Sequence, residues 1–244
     1  MQIITTAVIK GGTGKTTTAA ALAQAAVKAG KKVLAIDLDP QANLSFSIGA
    51  DLTVAGSYEL INGTPAEQLI QRTKQGIEAI TASPDLSTVK TTPGSAKRLQ
   101  RAIEPLKEQY DLIVIDTPPT MGELTFNALQ AATGLIIPLM ADTFSIQGLY
   151  NITDIAHQMQ RSNPALQISG VVLTQFDSRP NFRRYIQSAI KDKCAEVGAP
   201  YLTEIRTGIA IVEASASQMS IFDYAPNSKP AQDYKRLYEM IMEG

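Results

Sequence analysis

Two lysines bracket the glycine-rich stretch VIKGGTGKTTTAAALA, Val8 to Ala23. Gly11, Gly12 and Gly14 let the backbone come close to a ligand, with Thr13 between them. Lys15 can reach β- and γ-phosphates, Thr16 can place its hydroxyl on Mg²⁺, and Thr17 carries the chain into a helix. A turn of this kind between an apolar strand and a helix aims backbone N–H groups inward at the positive end of the helix dipole, which is the geometry that holds phosphate. An ordinary glycine turn would need neither the Lys-Thr pair nor its spacing. The common loop pattern also places a glycine where Ile9 stands here, and the residue after it is a second lysine, Lys10. A solvated lysine at a loop mouth is one account of Lys10. A second phosphate-directed charge is the other.

Carboxylates complete the chemistry. In DLIVIDTPP, Asp116 ends a buried apolar run, where a charge serves either to cap the following helix or to support Mg²⁺; beside the loop, the metal role is expected. AIDLDPQAN adds Asp37 and Asp39, two residues apart at the end of another apolar run and just before Pro40. In an extended strand they would share a face, but past its end the chain turns and they can diverge, one toward the metal and the other toward the γ-phosphate. An Asp-Pro turn without catalytic meaning is the plain alternative.

Positioning these residues requires strands and helices in alternation, and the sequence supplies them. Short apolar runs (IITTAVI, KVLAIDLD, DLIVIDTPP, GLIIPLM, ISGVVLTQF) alternate with helical patterns such as TTTAAALAQAAVKAG and ELTFNALQAA. Strands apolar on both faces and joined by helices predict an α/β, doubly wound, mainly parallel sheet flanked by helices, expected as one domain over 1–244. Gly49 to Thr92 interrupts the rhythm with a helical run near AEQLIQRT and a strand at IEAITA; the helix AKRLQRAIEPLKEQY is expected after it. The final stretch carries Tyr234, Leu237, Tyr238 and Ile241 at helical spacing.

Composition narrows the classes. A net charge of −1 with 44% apolar residues describes a globular chain whose nucleic-acid contacts, if any, must be local. Cys194 is the single cysteine, which excludes an internal disulfide and cysteine-built metal or iron–sulfur centres within one chain. With no signal-peptide pattern and no apolar run of membrane length, a cytoplasmic protein is expected.

KGGTGKTT, VLAIDLDPQANLS, DLIVIDTPPTMGELTFNAL, PLMADTFSIQGL and VVLTQFDSR together resemble the ParA branch of the ParA/MinD family of deviant Walker-type P-loop ATPases. The match runs from the first strand to the last helix. The resemblance implies ATP and Mg²⁺ as cofactors and an ATP-dependent homodimer in which the two nucleotides lie face to face. Lys10 would then be the signature lysine that crosses to the partner's phosphates. It also implies catalytic roles for Lys10, Lys15 and Asp39, the last as the water-activating aspartate, with Thr16, Asp37 and Asp116 about the metal and slow basal hydrolysis stimulated by partners and DNA. Thr174, Gln175 and Ile205 fall on adenine-side segments, Ile205 standing where many family members have proline.

By the same resemblance, Arg179 matches an arginine that binds double-stranded DNA without regard to sequence. Arg183, Arg184 and Lys191 follow it, with Arg184, Gln187 and Lys191 on one helical face, which by charge alone is equally a solvated face. A second DNA-contacting arginine of the family falls on Ala210, for which Arg206 or Arg184 would substitute. The first strand begins almost at Met1, as in the short form without an N-terminal helix-turn-helix. The implied function is plasmid or chromosome partition on the nucleoid with a ParB-type centromere-binding adaptor. The nearest alternatives are a nucleoid-based ATPase positioning a protein cargo and a metabolic ATP-dependent ligase on the same fold. A MinD-like membrane ATPase would need an amphipathic basic tail, which DYKRLYEMIMEG is not.

Overall fold

The computed structural model describes residues 1–177, 179 and 181–243. In chain order its elements are β1 (Gln2–Thr6), α1 (Lys15–Lys28), β2 (Val33–Asp37), α2 (Asn43–Ser47), α3 (Ser57–Ile61), β3 (Gln71–Arg72), β4 (Glu78–Ile80), α4 (Arg98–Ile103) and β5 (Leu112–Asp116). They continue with α5 (Glu123–Ala131), β6 (Gly134–Met140), α6 (Ser145–Gln160), β7 (Gln167–Phe176), α7 (Asn181–Glu196), β8 (Tyr201–Arg206), α8 (Ile209–Ala216), α9 (Ile221–Tyr224) and α10 (Lys229–Glu243).

The strands form one sheet in the order β3-β4-β2-β5-β1-β6-β7-β8, parallel throughout except for β3 against β4. Period-two alternation along each strand feeds two cores. Ile3, Leu34, Ile36, Ile113 and Ile115 face one side, where α4, α5, α6 and α7 contribute Leu99, Leu129, Ile152 and Ile190. Ile4, Val33, Ala35, Leu112 and Val114 face the other, against the alanine-rich α1 and the Tyr234, Leu237 and Tyr238 stripe of α10. A strand that must be apolar on both faces explains why the sequence runs are continuous rather than alternating. The expected doubly wound α/β architecture is therefore the observed one.

Two expectations between 49 and 110 are revised. AEQLIQRT yields only a single 3₁₀ turn at Ala66–Gln68 before the short antiparallel β3. The helix expected over AKRLQRAIEPLKEQY is a 3₁₀ turn, six α-helical residues and a further 3₁₀ turn at Glu104–Leu106. Pro105 lacks the N–H that continuation of the α-helix requires. The C-terminal stripe is buried as expected, with Ile241 packed at its margin. Among the described residues no helix is long and apolar enough to cross a membrane.

Because the central strands run parallel and in register, their last residues converge: Thr6 pairs with Asp116, and Asp116 with Asp37. The chain leaves β1 at the centre of the sheet, and the loop to α1 lies over these carboxyl ends, where doubly wound sheets place their ligands.

Candidate nucleotide site

The loop between β1 and α1 is shaped by its glycines. Gly12 and Gly14 have φ of 74° and 84°, a left-handed backbone that favours glycine. A side chain on Gly14 would also press on Thr174 Cγ2 at 3.3 Å. The loop is tied from behind by β7: Thr174 Oγ1 donates to the Thr13 carbonyl (2.6 Å) and Gln175 Nε2 to the Gly12 carbonyl (2.7 Å). Gln175 itself has a left-handed φ of 51°, a strained state for a residue with a side chain, of the kind that collects at functional sites. Gly11, Gly12, Gly14, Lys15, Thr16, Thr17, Asp39 and Gln175 line one cavity of about 540 Å³.

The two lysines point to different places. Lys15 is buried, and its Nζ donates across the loop to the Lys10 carbonyl at 2.9 Å. Burial lowers its pKa, against the pull of the Asp116 and Asp39 carboxylates, which raise it. Lys10, half-buried, forms an ion pair with Asp142, its Nζ 5.8 Å from the centre of the Phe144 ring, which is 74% exposed. Asp142 also accepts the backbone N–H groups of Phe144 and Ser145 at the start of α6, at 3.0 and 3.1 Å. Burial opposes ionisation there, but the Lys10 ammonium and the Ser145 hydroxyl hold its pKa below the ordinary value.

The three aspartates have separate duties. Asp116 is fully buried and accepts Thr16 Oγ1 at 2.6 Å and Thr6 Oγ1 at 3.3 Å. Burial, with the Asp37 carboxylate beside it, pushes its pKa up to about 8. Asp37, raised by burial to about 6, takes Ser45 N and Oγ on one oxygen (2.9 and 2.7 Å) and the Asp39 N–H on the other (3.0 Å). It thereby holds Asp39 in place and lies behind the cavity rather than in it. Asp39 lines the cavity, with one oxygen on the Gln41 N–H at 3.0 Å. Crowded buried carboxylates with raised pKa values are stabilised as anions by a nearby cation. No group of three or more His, Cys, Asp or Glu among the described residues is arranged to hold a metal; the oxygen donors that would suit Mg²⁺ here are the Thr16 hydroxyl and the Asp116 carboxylate it bonds.

A family model described as an AAA domain matches residues 1–168. The chain is 34% identical over 236 residues to the chromosome-partitioning ATPase Soj of Thermus thermophilus, covering 96% of this chain and 92% of that protein. It belongs to the ParA/MinD family of P-loop ATPases. Among solved structures, the septum site-determining protein MinD of Pyrococcus horikoshii, complexed with Mg-ADP, is similar at 27% identity and a TM-score of 0.83, covering 99% of this chain and 96% of that one. Cobyrinic acid a,c-diamide synthase of Mycobacterium smegmatis, with bound ATP analogue and magnesium, is similar at 29% identity and a TM-score of 0.83, over 98% and 93% of the two chains. As a ParA/MinD member the chain is an ATPase, with ATP and Mg²⁺ as its cofactors.

Other residues expected to act prove to be engaged within the fold. Thr174, Gln175 and Ile205 line a second cavity of about 240 Å³ that shares Gly14, Thr17 and Gln175 with the first. The Thr174 and Gln175 side chains also hold loop carbonyls, and Ile205 is 1% exposed. Arg206, expected on DNA, is held bidentately by buried Asp233 (2.8 and 2.7 Å), its own side chain remaining 43% exposed. Arg179 is 89% exposed and chelated by Asp177, and Arg183 donates to the Gln175 carbonyl at 3.1 Å. The expected face of α7 splits: Arg184 is exposed, whereas Gln187 bonds Glu204, and Lys191 stands 3.6 Å from Glu204 and over the Tyr201 ring. Ser178 of VVLTQFDSR and Pro180 lie outside the described residues. Asp142, Ser45 and Asp233 carry no role in the sequence reading, although Asp142 lies within PLMADTFSIQGL and Ser45 closes VLAIDLDPQANLS.

Proposed function

We propose that the chain, as one unit over 1–244, is an ATP-dependent dimerising switch of the partition type. In the ATP state two copies pack face to face, bind double-stranded DNA nonspecifically and move a replicon together with a ParB-type adaptor, in the cytoplasm and on the nucleoid. The observation that supports this reading most is the division of labour between the lysines: Lys15 is buried at its own loop, and Lys10 is half-buried and turned to Asp142 instead of the loop. A triphosphate brought to an interface concentrates negative charge in a poorly solvated place, and a second lysine from the facing copy offsets it. Lys10 must leave Asp142 to do so, which ties dimerisation to the nucleotide.

For hydrolysis, the loop N–H groups and Lys15 neutralise charge on the transferred phosphoryl group, and Asp39 orients the attacking water, its position fixed by Asp37. Thr16 and Asp116 would hold Mg²⁺, which when bound supplies charge neutralisation at the phosphate oxygens. Arg179 and Arg184 offer the exposed cations for DNA phosphates. Similarity to cobyrinic acid a,c-diamide synthase favours a second reading, an ATP-dependent ligase, whose turnover would be indifferent to DNA.

Sedimentation with a nonhydrolysable ATP analogue tests the proposal. Wild type should sediment as a dimer. Lys10→Ala should bind the analogue and remain a monomer, and Lys15→Ala should bind it ~10- to 100-fold more weakly. A normal dimer of Lys10→Ala with normal turnover would refute the role of Lys10 across the interface.

A further inference from the structure

The C-terminal helix carries a carboxylate that the phosphate chemistry does not use. Asp233 of α10 is 1% exposed, yet it gathers four donors. One oxygen accepts Arg206 N at 2.9 Å and Nε at 2.8 Å; the other accepts Arg206 Nη2 at 2.7 Å and Arg236 Nη2 at 3.4 Å. One side chain thus fixes both the backbone and the guanidinium of the last residue of β8. The two residues that follow are fixed as well. Thr207 donates its N–H and its hydroxyl to the Phe176 carbonyl, each at 3.2 Å. Gly208 lies so close to the first turn of α10 that a Cβ there would come within 2.9 Å of Pro230 Cγ.

This loop is a wall of the 240 Å³ cavity. Ile205, Arg206, Thr207 and Gly208 line it together with Gly14, Thr17 and Tyr234. The cavity continues the phosphate cavity through Gly14, Thr17 and Gln175, so a nucleotide whose phosphates lie on the glycine loop would extend its nucleoside into it. Tyr234, next to Asp233, reaches α1 through Thr18, with 3.4 Å between hydroxyls. α10 therefore grips the nucleoside wall with one residue and the phosphate-binding helix with the next. Burying the Asp233 carboxylate carries a desolvation cost that offsets its attraction to Arg206, whose side chain stays 43% exposed, so the pair is a poor source of net stability. What such a pair does well is fix geometry.

We propose that Asp233 is a positioning residue for the nucleoside. By holding Arg206 at three atoms it presets the Arg206–Gly208 wall, so that binding the nucleoside carries no cost of ordering that loop. The inference rests on the reading of the second cavity as the nucleoside's place. Asp233 contacts no part of the nucleotide and acts through Arg206.

The test compares ATP with inorganic tripolyphosphate, each with Mg²⁺, by titration calorimetry on wild type, Asp233→Asn and Arg206→Gln. Wild type should bind ATP much more tightly than tripolyphosphate. Asp233→Asn should bind ATP about tenfold more weakly while keeping its tripolyphosphate affinity. Arg206→Gln breaks the same pair from its exposed side, carries the test should Asp233→Asn fail to fold, and should lose ATP affinity in the same selective way. The double variant should be no worse than the worse single one, since both remove one contact. Equal weakening of both ligands, or of neither, would overturn the positioning role. If wild type itself binds the two ligands equally, the second cavity is not the nucleoside's place, and the inference falls with that reading.

Discussion

Within one glycine loop, Lys10 and Lys15 differ in burial, partner and direction, and the difference has consequences that can be measured. The Lys10–Asp142 pair has both side chains 31% exposed, so solvent and salt screen it and its contribution is about 1 kcal/mol or less. Asp142→Ala should therefore lower the protein concentration needed for the ATP-dependent dimer only a fewfold, read by sedimentation across a dilution series; a dimer that needs more protein would contradict Asp142 as a restraint on Lys10. The aspartates predict a different outcome. Asp39→Ala should bind ATP and dimerise but hydrolyse roughly a hundredfold or more slowly, because only the water-positioning carboxylate is lost. Phosphate release and dimer lifetime report this, and unchanged turnover would shift the role to another group. From the sequence the three carboxylates were legible as a set, since each follows an apolar run or a turn. The duty of Asp37 was not: its partner Ser45 lies eight residues on, and no periodicity links a strand end to the inside of a short helix.

Among the elements, legibility followed the strength of the local signal. β1, β2, β5, β6 and β7 are buried on both faces and stood out as continuous apolar runs. β3 has two residues, half-buried Gln71 and exposed Arg72, and carries no such signal; it exists because β4 offers an edge to pair with. The helix expected over 96–110 is cut short where Pro105 ends the α-helical hydrogen bonding, a backbone constraint that outweighs pattern. α7 was legible as a helix, yet its cationic face was only half read, because Glu204 and Tyr201 on the neighbouring β8 claim Gln187 and Lys191. That neighbour is set by sheet order, which the sequence of α7 does not contain. The opposite face of α7 packs into the core and makes its own prediction. Cys194 is 1% exposed, and burial pushes its thiol up to about 11. The native protein should then resist iodoacetamide at pH 8, where thiolate is scarce and access closed, and react quickly once unfolded in urea. Rapid labelling of the native state, followed by mass spectrometry, would place α7 away from β7.

At the scale of the whole molecule, the glycine-loop cavity and the proposed DNA surface lie at neighbouring positions of the sheet, the first over the ends of β1, β2 and β5 and the second beyond β7 at α7. Arg183 connects them, donating to the carbonyl of Gln175, whose side chain holds Gly12. With a net charge of −1 the chain has no general attraction for DNA, and Arg179 is already chelated by Asp177. One copy should accordingly bind weakly. A face-to-face dimer would bring two such surfaces to one duplex, and the second contact then forms at the high effective concentration set by the first. Random-sequence duplex should be retained with ATP and far less with ADP, and affinity should fall steeply with salt as counterions return to the phosphates. Sequence should matter little, because phosphates carry none. Arg179→Ala with Arg184→Ala should abolish this binding while leaving the ATP-dependent dimer intact; Arg206→Gln, measured at saturating ATP, should leave DNA binding intact, since that guanidinium is engaged by the buried Asp233. Fluorescence anisotropy at low and high salt separates the outcomes. DNA binding by the double variant equal to wild type would move the surface away from α7. Wild type that binds no duplex at low salt with ATP would end the partition reading and leave the ligase reading in its place.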